Sequence, residues 1–399
     1  MVFWWEAYGP FDADEDGYPN AGQVIKHYRM LKGWSPAQLG ESLEKSARWV
    51  QAMEHDNTVP EAISRRRALA AILGIPPLLL GLAPIDLSTT TTPAVSATAG
   101  KIDAAQIAQY QTLLRLYWDL DYASTAQESL EDVQRWIRHL RTLAPEAGGH
   151  RTQIVELLCR YHQLACWIAR DQRDYRIALQ HANQAVKLAQ SLQSPELLAA
   201  TLFRRGRTRL EQGDYAGAQT DLDAAVPYAH RSRPQLRALV LLAAGHTRAY
   251  TAQSPLEISE AFSSIDQAAK IVRRGGLEDD ESFVKLSTGR YHLDRADALI
   301  VVGRSQSGLD ELESATRGIG TEQTRRHAYA DVLRAKAYAH SGDIIMATST
   351  AEAALEVVRD IGSAVNIARI AEIQQYLGAS KHGNDPNVRR LGALLITKL

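Results

Sequence analysis

Small side chains recur at a fixed offset along the second half of this chain, and that recurrence limits the fold more than any other property of the sequence. Gly206, Gly213, Tyr215, Ala218, Leu222 and Ala225 align with Cys166, Arg173, Tyr175, Ala178, Ala182 and Ala185, each 40 residues earlier, and Asp214 aligns with Asp174. Ninety residues further on the same positions meet Ala296, Gly303, Ser305, Gly308, Leu312 and Ala315. Near the C-terminus they meet Ala335, Gly342, Ile344, Ala347, Ala351 and Ala354. The intervening text has helical apolar spacing almost throughout from Ile102 onward. Small residues in such positions let two helices of a hairpin cross closely, and a Gly or Arg-Asp turn separates helix A from helix B. Each hairpin then has an apolar stripe that it cannot bury alone, so neighbouring hairpins must stack to make a core. Two further units are fainter: 110–143, with Trp118 and Trp136, and 239–272.

This pattern resembles the tetratricopeptide repeat, although a spacing of 40 exceeds that family's usual ~34 residues. The resemblance implies a right-handed α-solenoid over 102–380, followed by a C-terminal tail with a short helix over 381–399. Its concave face is built from the A helices. The family's groove positions fall on Arg160, Gln163, Trp167 and Arg170 from one repeat, and on Ala200, Phe203, Arg207 and Leu210 from the next. Arginines beside aromatics there imply a bound peptide or protein segment, held through its carbonyls and carboxylates. The alternative is that Trp167 and Phe203 only pack between repeats.

Residues 20–83 have a different rhythm, with short helical stretches broken by turn chemistry. Val24, Ile25, Tyr28 and Leu31 mark one helix that stops near Gly33. Ser35-Pro36 reads as an N-cap with proline at the first helical position, opening a short helix from Pro36 to Leu43. Ser46 can cap a third helix with Val50 and Met53 on one face. A fourth runs from about Pro60 to Gly74, and Leu78-Leu79-Leu80 close a fifth. A tight turn between the second and third helices is helix-turn-helix geometry, which presents the third to the DNA major groove.

The unbroken stretch from Leu39 to Glu54, with Arg29 and Gly33 before it and Pro60 and Leu69 to Ile75 after it, resembles the phage-repressor (Xre-type) helix-turn-helix domains. That resemblance implies an internal ion pair between Arg29 and Glu54. It also implies that Ser46, Ala47, Arg48 and Gln51 face DNA, with Arg48 placed to read guanine. Trp49 is expected at the edge of the domain core. Arg65, Arg66 and Arg67 are the densest basic run, and Arg65 and Arg66 are expected at phosphates. The chain departs from the family at Pro36, where a phosphate-binding glutamine is common, at Glu44, where the turn glycine is replaced, and in the loop His55-Asp56-Asn57-Thr58-Val59, where a basic one is usual.

The net charge of −1 is unevenly spread. Residues 1–19 hold five acids and no Lys or Arg, whereas 20–83 hold eight Lys/Arg against five Asp/Glu. The acidic and aromatic tail 1–19 is a candidate mask for the recognition helix. Residues 84–101, rich in Thr, Ala, Ser and Pro, read as a flexible linker that lets the small module reorient. Cys159 and Cys166 lie two helical turns apart, too far for an easy disulfide, and read as buried thiols. No apolar run is long enough to span a membrane and the N-terminus lacks a secretory signal, so a cytoplasmic protein is expected. Nucleotide-binding, metalloprotease and C-x-x-C motifs are missing, and the twelve histidines are dispersed. Gly318-Ile319-Gly320 reads as a helix connection and Asp279-Asp280-Glu281 as a solvated loop or helix start.

These readings combine into an all-α, non-enzymatic protein with no cofactor and no metal: a five-helix helix-turn-helix domain followed by a tetratricopeptide-like array. The combination resembles quorum-sensing peptide receptors. It implies a transcription regulator whose partners are double-stranded DNA, a peptide or protein in the groove, and a second copy of the chain. The alternative is an interaction scaffold with a degenerate helix-turn-helix, in keeping with the few cations of the small module.

Overall fold

The structure is a computed structural model that describes residues 5–6, 8–13, 19–43, 45–56, 60, 63–82, 102–123, 129–274, 286–320 and 324–396. The expected linker 84–101, the Asp279–Glu281 loop, Glu44, loop residues 57–59 and much of the tail 1–19 lie outside these residues. Among the described residues the regular elements are helices, and one isolated bridge joins Ala13 and Pro19. No helix among them is long and apolar enough to cross a membrane. The chain divides into two compact units, Met1–Leu164 and Ala165–Leu399.

The first unit opens with α1 (Ala21–Leu31), α2 (Pro36–Ser42), α3 (Ala47–His55) and α4 (Ile63–Leu73), then a single 3-10 turn, Pro77–Leu80, where a fifth helix was expected. Three of these starts are chemically defined. Asn20 caps α1; Ser35 and Gln38 form a reciprocal capping box ahead of Pro36; Ser46 caps α3 through the Trp49 amide. Val24, Ile25, Leu39, Val50 and Leu69 are fully buried between these helices. Gly40 allows the turn between α2 and α3 to close, because a Cβ there would sit 2.7 Å from the Lys45 carbonyl oxygen.

The same unit contains α5 (Ala104–Ala123) and α6 (Ser129–Leu143), the fainter repeat of the sequence. Their core is aromatic: Tyr117, Trp118 and Trp136 are buried, and Trp136 meets Tyr110 edge-on at 5.6 Å. Tyr161 donates to the Tyr110 carbonyl at 3.1 Å. The small module is not held by the linker alone. Arg67 on α4 reaches the buried Asp132 on α6 at 2.5 Å, and Gly81 packs so tightly on Leu116 of α5 that a Cβ would overlap it. These contacts oppose the free reorientation expected from the linker composition. The described part of the tail lies on α1, with Phe11 edge-on to His27 and Asp12 bonded to Gln23.

α7 (Arg151–Asp171) starts in the first unit and ends in the second. The hairpins of the second unit continue with α8 (Tyr175–Ser191), α9/α10 (Pro195–Gln212, Tyr215–Ala229), α11/α12 (Pro234–Thr251, Pro255–Val272), α13/α14 (Thr288–Val301, Ser305–Arg317), α15/α16 (Thr324–Ser341, Ile344–Asp360) and α17/α18 (Ala364–Gly378, Pro386–Ile396). This is a tetratricopeptide-like array. The repeated small residues sit where helices cross: a Cβ on Gly206 would lie 2.8 Å from Leu222, and one on Gly245 2.5 Å from the Ala261 carbonyl oxygen. The A-to-B turns are left-handed at Gly213, Gly303 and Gly342, with φ of 85°, 80° and 82°. Arg173 holds the equivalent turn at φ 63° without glycine's freedom. Asp174, Asp214 and Asp343 cap the next helices, whereas Arg304 in the same place makes no side-chain cap. Cys159 and Cys166 are free, buried thiols.

Candidate functional site

In the first unit, α3 turns Val50 and Met53 inward and leaves Arg48 and Gln51 exposed, with Ala47 and Trp49 half-buried. The Ser46 hydroxyl accepts the Trp49 amide at 3.1 Å, so its first role is the cap. The described part of the tail does not cover Arg48 or Gln51. Arg29 grips Glu54 with both ends of its guanidinium, Nε at 2.6 Å and Nη2 at 2.9 Å, and donates Nη1 to the Trp34 carbonyl at 2.6 Å. The fork ties the end of α1 to the end of α3, and the hydrogen bond from Glu54 raises the arginine's pKa.

The basic run on α4 corrects an expectation. Arg65 is exposed, but Arg66 is only 3% exposed, and its guanidinium donates to the Pro60 and Leu80 carbonyls. It lies in line with Leu69, Ala70 and Leu73 on the inner face, so it supports the fold and cannot reach a phosphate. Arg67 is committed to Asp132. Burial raises the Asp132 pKa, and Arg67 and Arg135 pull it back only in part.

The groove positions expected by resemblance are divided between the two units. Arg160 and Gln163 belong to the first unit, where Arg160 pairs with Glu156 at 2.8 Å and Gln163 is buried, donating to Cys159 Sγ at 3.7 Å. In the second unit Phe203 is 2% exposed and packed into the apolar core, a correction to its place in the groove. Trp167 is half-buried and stacks under Arg170, whose guanidinium carbon lies 3.7 Å from the ring centre. Arg207 is deeply buried.

The site of the second unit is a cavity of about 330 Å³ lined chiefly by the inner faces of α9, α11, α13, α15 and α17. Polar groups lie along its walls and just behind them. Arg207 Nη1 meets His246 Nδ1 at 2.8 Å, and His246 Nε2 meets Asp297 Oδ2 at 2.8 Å. Tyr250 donates to the same carboxylate at 2.7 Å, and Lys336 to its other oxygen at 2.7 Å. Arg369 pairs with Glu211 and lies 4.3 Å from the Tyr329 ring centre. Behind the wall, Arg290 pairs with Asp294 at 3.0 Å. At the cavity surface Tyr215 stacks on Tyr250 at 5.3 Å and Tyr376 on His340 at 4.6 Å.

The electrostatics follow from burial working against neighbouring cations. Burial by itself pushes the Asp297 carboxyl up, but Lys336 and His246 outweigh it and hold the group well below the usual range. Asp294 is likewise opposed by burial, yet Arg290 and Arg207 bring it to about 2. Glu211 is lowered because Arg369, Arg170 and Arg207 together overcome its burial. Arg170 moves the other way: burial dominates and lowers its pKa.

Glu211, Tyr250, Asp297, Lys336 and Arg369 were not anticipated from the sequence. A signal was present. Arg207 and Glu211, His246 and Tyr250, and Arg290 and Asp294 are each four apart, and Asp294 and Asp297 three apart, on helices otherwise rich in small apolar residues. Such spacing puts each pair on one helix face.

No protein-family model matches the chain, and no curated protein matches it. Among solved structures the chain is similar to PlcR of Bacillus thuringiensis in complex with the peptide PapR7 and DNA, at 12% identity over 79% of this chain and 98% of that one, with a TM-score of 0.38. It is also similar to a Rap protein complexed with competence and sporulation factor, at 11% identity over 73% of this chain and 85% of that one, with a TM-score of 0.49. Similarity of this size fixes neither a ligand nor a target.

Proposed function

We propose that this chain is a cytoplasmic, non-enzymatic transcription regulator that binds double-stranded DNA through α3 and a peptide or protein segment through the cavity of its second unit. The carrying observation is the concentration of charged and aromatic side chains on the inner helix faces of an array built elsewhere from alanine and glycine. Burying that many polar groups costs stability, and a core built only for stability would use apolar residues there. Tyrosine and arginine are the residue types that anchor peptide segments. On the DNA side, Arg48 and Gln51 reach base edges, Ser46 and Ala47 lie at the start of the helix, and Arg65 contacts a phosphate.

In this reading the regulator acts as a homodimer, so two recognition helices meet two half-sites. A ligand changes the output only through its different affinities for the array's alternative arrangements. Genome-wide capture of DNA fragments by the intact protein, repeated with residues 1–19 removed, tests the DNA half; enrichment of one palindromic sequence by the intact protein is expected. Enrichment only after truncation would assign the tail as a mask. Peptide recovered with the purified protein and identified by mass spectrometry tests the ligand half.

A scaffold that has lost DNA binding is the second reading. It is favoured by the burial of Arg66 and the engagement of Arg67 with Asp132, which take two of three arginines away from phosphates. Capture of no enriched sequence by either form would select it.

A further inference from the structure

The charged side chains lining the cavity of the second unit are three cations, Arg173, Lys336 and Arg369, and three carboxylates, Glu211, Asp297 and Glu372. Four of the six are committed to one another. Glu211 pairs with Arg369, and Asp297 accepts from Lys336 at 2.7 Å while also meeting His246 at 2.8 Å. Arg173 and Glu372 are left, both exposed, and neither has an ion pair among the described residues. The Arg173 guanidinium donates one long hydrogen bond, 3.4 Å from Nε to the Tyr175 hydroxyl. The two charges come from distant parts of the sequence, Arg173 from the turn before α8 and Glu372 from α17.

Arg173 also stands where the fold favours glycine. The aligned turns use Gly213, Gly303 and Gly342 at φ of 85°, 80° and 82°, whereas Arg173 holds φ 63° with a side chain attached. A left-handed backbone costs stability in a residue with a Cβ, and such strain gathers where a side chain serves a ligand. An exposed cation without a partner gains too little from the fold to offset that cost. Deeper in the cavity the paired charges cancel, so a ligand ion set against them would be buried without a counter-ion. The charges of a peptide are met instead at Arg173 and Glu372, an acid at the first and a base at the second. Tyr215 and Tyr376, 38% and 48% exposed, line the same cavity. Each is stacked by one face, on Tyr250 and on His340, and has ring surface left for the planes of a peptide. At about 330 Å³ the cavity is at the small end of ligand sites, so the two charges it meets lie close in the peptide's sequence. Resting on the peptide-binding reading above, we infer that the cavity reads the polarity of its peptide, seating an acidic group at Arg173 and a basic group at Glu372 so that the segment enters in one direction.

A peptide carries such charges on its side chains or at its free termini, and five random heptapeptide pools separate these sources. Four have blocked termini and carry one acid and one base, an acid alone, a base alone, or neither; the fifth has free termini and uncharged side chains. The full-length protein is incubated with each pool and bound peptide is identified by native mass spectrometry. The best-retained pool is expected to carry both charges, with the single-charge pools about threefold lower and the blocked uncharged pool about tenfold lower. If that best pool is a blocked one, side chains supply the charges; if it is the free one, the termini do. Equal retention of all five pools overturns this inference and leaves peptide binding standing, whereas no retention from any pool overturns both. Dependence on one sign of charge alone overturns the polarity. Arg173→Gly is the decisive variant, because glycine suits a φ of 63°. Its melting temperature should be unchanged or higher while the advantage of acid-bearing peptides disappears. Glu372→Gln should remove the advantage of a base and leave that of an acid intact. An unchanged preference in either variant overturns the assignment of that residue. Within the blocked pool carrying both charges, retained peptides should share one order of acid and base. Arg173→Glu combined with Glu372→Arg should select the opposite order, and equal retention of both orders by the unaltered protein overturns the single direction.

Discussion

The two units bury charge in opposite ways. In the small N-terminal module one arginine meets one glutamate: Arg29 and Glu54 are each 9% exposed at the side chain and joined by two hydrogen bonds, with the third Arg29 nitrogen donating to Trp34. In the second unit partners are shared: Asp294 lies 3.0 Å from Arg290 and 3.6 Å from Arg207, Asp297 takes both Lys336 and His246, and one buried Asp294 oxygen has no hydrogen-bond partner among the described residues. A complete pair has nothing left to offer a ligand and serves as a clamp between helices. A shared network leaves donors and acceptors imperfectly matched, which costs stability. Burial is common to both regions; what differs is whether each charge has its own partner or shares one.

That comparison can be broken most forcefully at Glu54. Glu54→Leu strands Arg29 without its partner, and urea unfolding of the full chain should show the first unit destabilised by ~3 kcal/mol or more. Adding Arg29→Met should recover most of that loss; if it does not, the pair contributes by packing rather than by charge. Acid should come next. The folded-state pKa of Asp294 is about 2 against an ordinary value of 3.8, so its ionisation stabilises the fold at higher pH. That contribution should be complete above the ordinary value and lost as pH falls through about 2, a drop of about 2 kcal/mol in the second unit's stability followed by pH-dependent unfolding. Asp294→Asn should flatten the profile in this window. A smaller effect belongs to Arg67→Met, which leaves Asp132 with only the longer 3.5 Å contact to Arg135 and should cost the first unit about 1 kcal/mol in thermal unfolding. The smallest is an exposed control. Arg304→Asp supplies the cap that Asp174, Asp214 and Asp343 give their helices, and should raise stability by ~0.5–1 kcal/mol despite reversing a charge. A loss at Arg304 as large as that at Glu54 would show that charge itself, not its burial, governs these effects.

The sequence carried more of the fold than of the site because the two depend on interactions of different range. Ser35, Pro36 and Ser46 mark helix starts through contacts within four residues, and those starts are where they were expected. The repeated small residues located α7/α8, α9/α10, α13/α14 and α15/α16, since close helix crossing is written in local spacing. Site residues depend on which face a helix turns toward its neighbours. Arg65 and Arg66 are adjacent, yet one is exposed and the other buried, because a helix rotates about 100° per residue. Their fates could be separated only by noticing that Arg66 shares the stripe of Leu69, Ala70 and Leu73. Phe203 and Arg207 lie one turn apart; one fills the core and the other enters the charged cluster. The cavity itself joins residues from Arg173 to Tyr376, a juxtaposition made by stacking and invisible in any single repeat.

The attachment of the small module has a consequence for its motion. With Arg67 held by Asp132 and Gly81 pressed on Leu116, α3 tumbles as part of a body of more than twice its module's length. Its rotational diffusion, read from nuclear relaxation, should be that of the larger body, without the fast component of a tethered bead. The orientational freedom that a tethered module gives up when it docks on a partner has, in this chain, already been surrendered on folding.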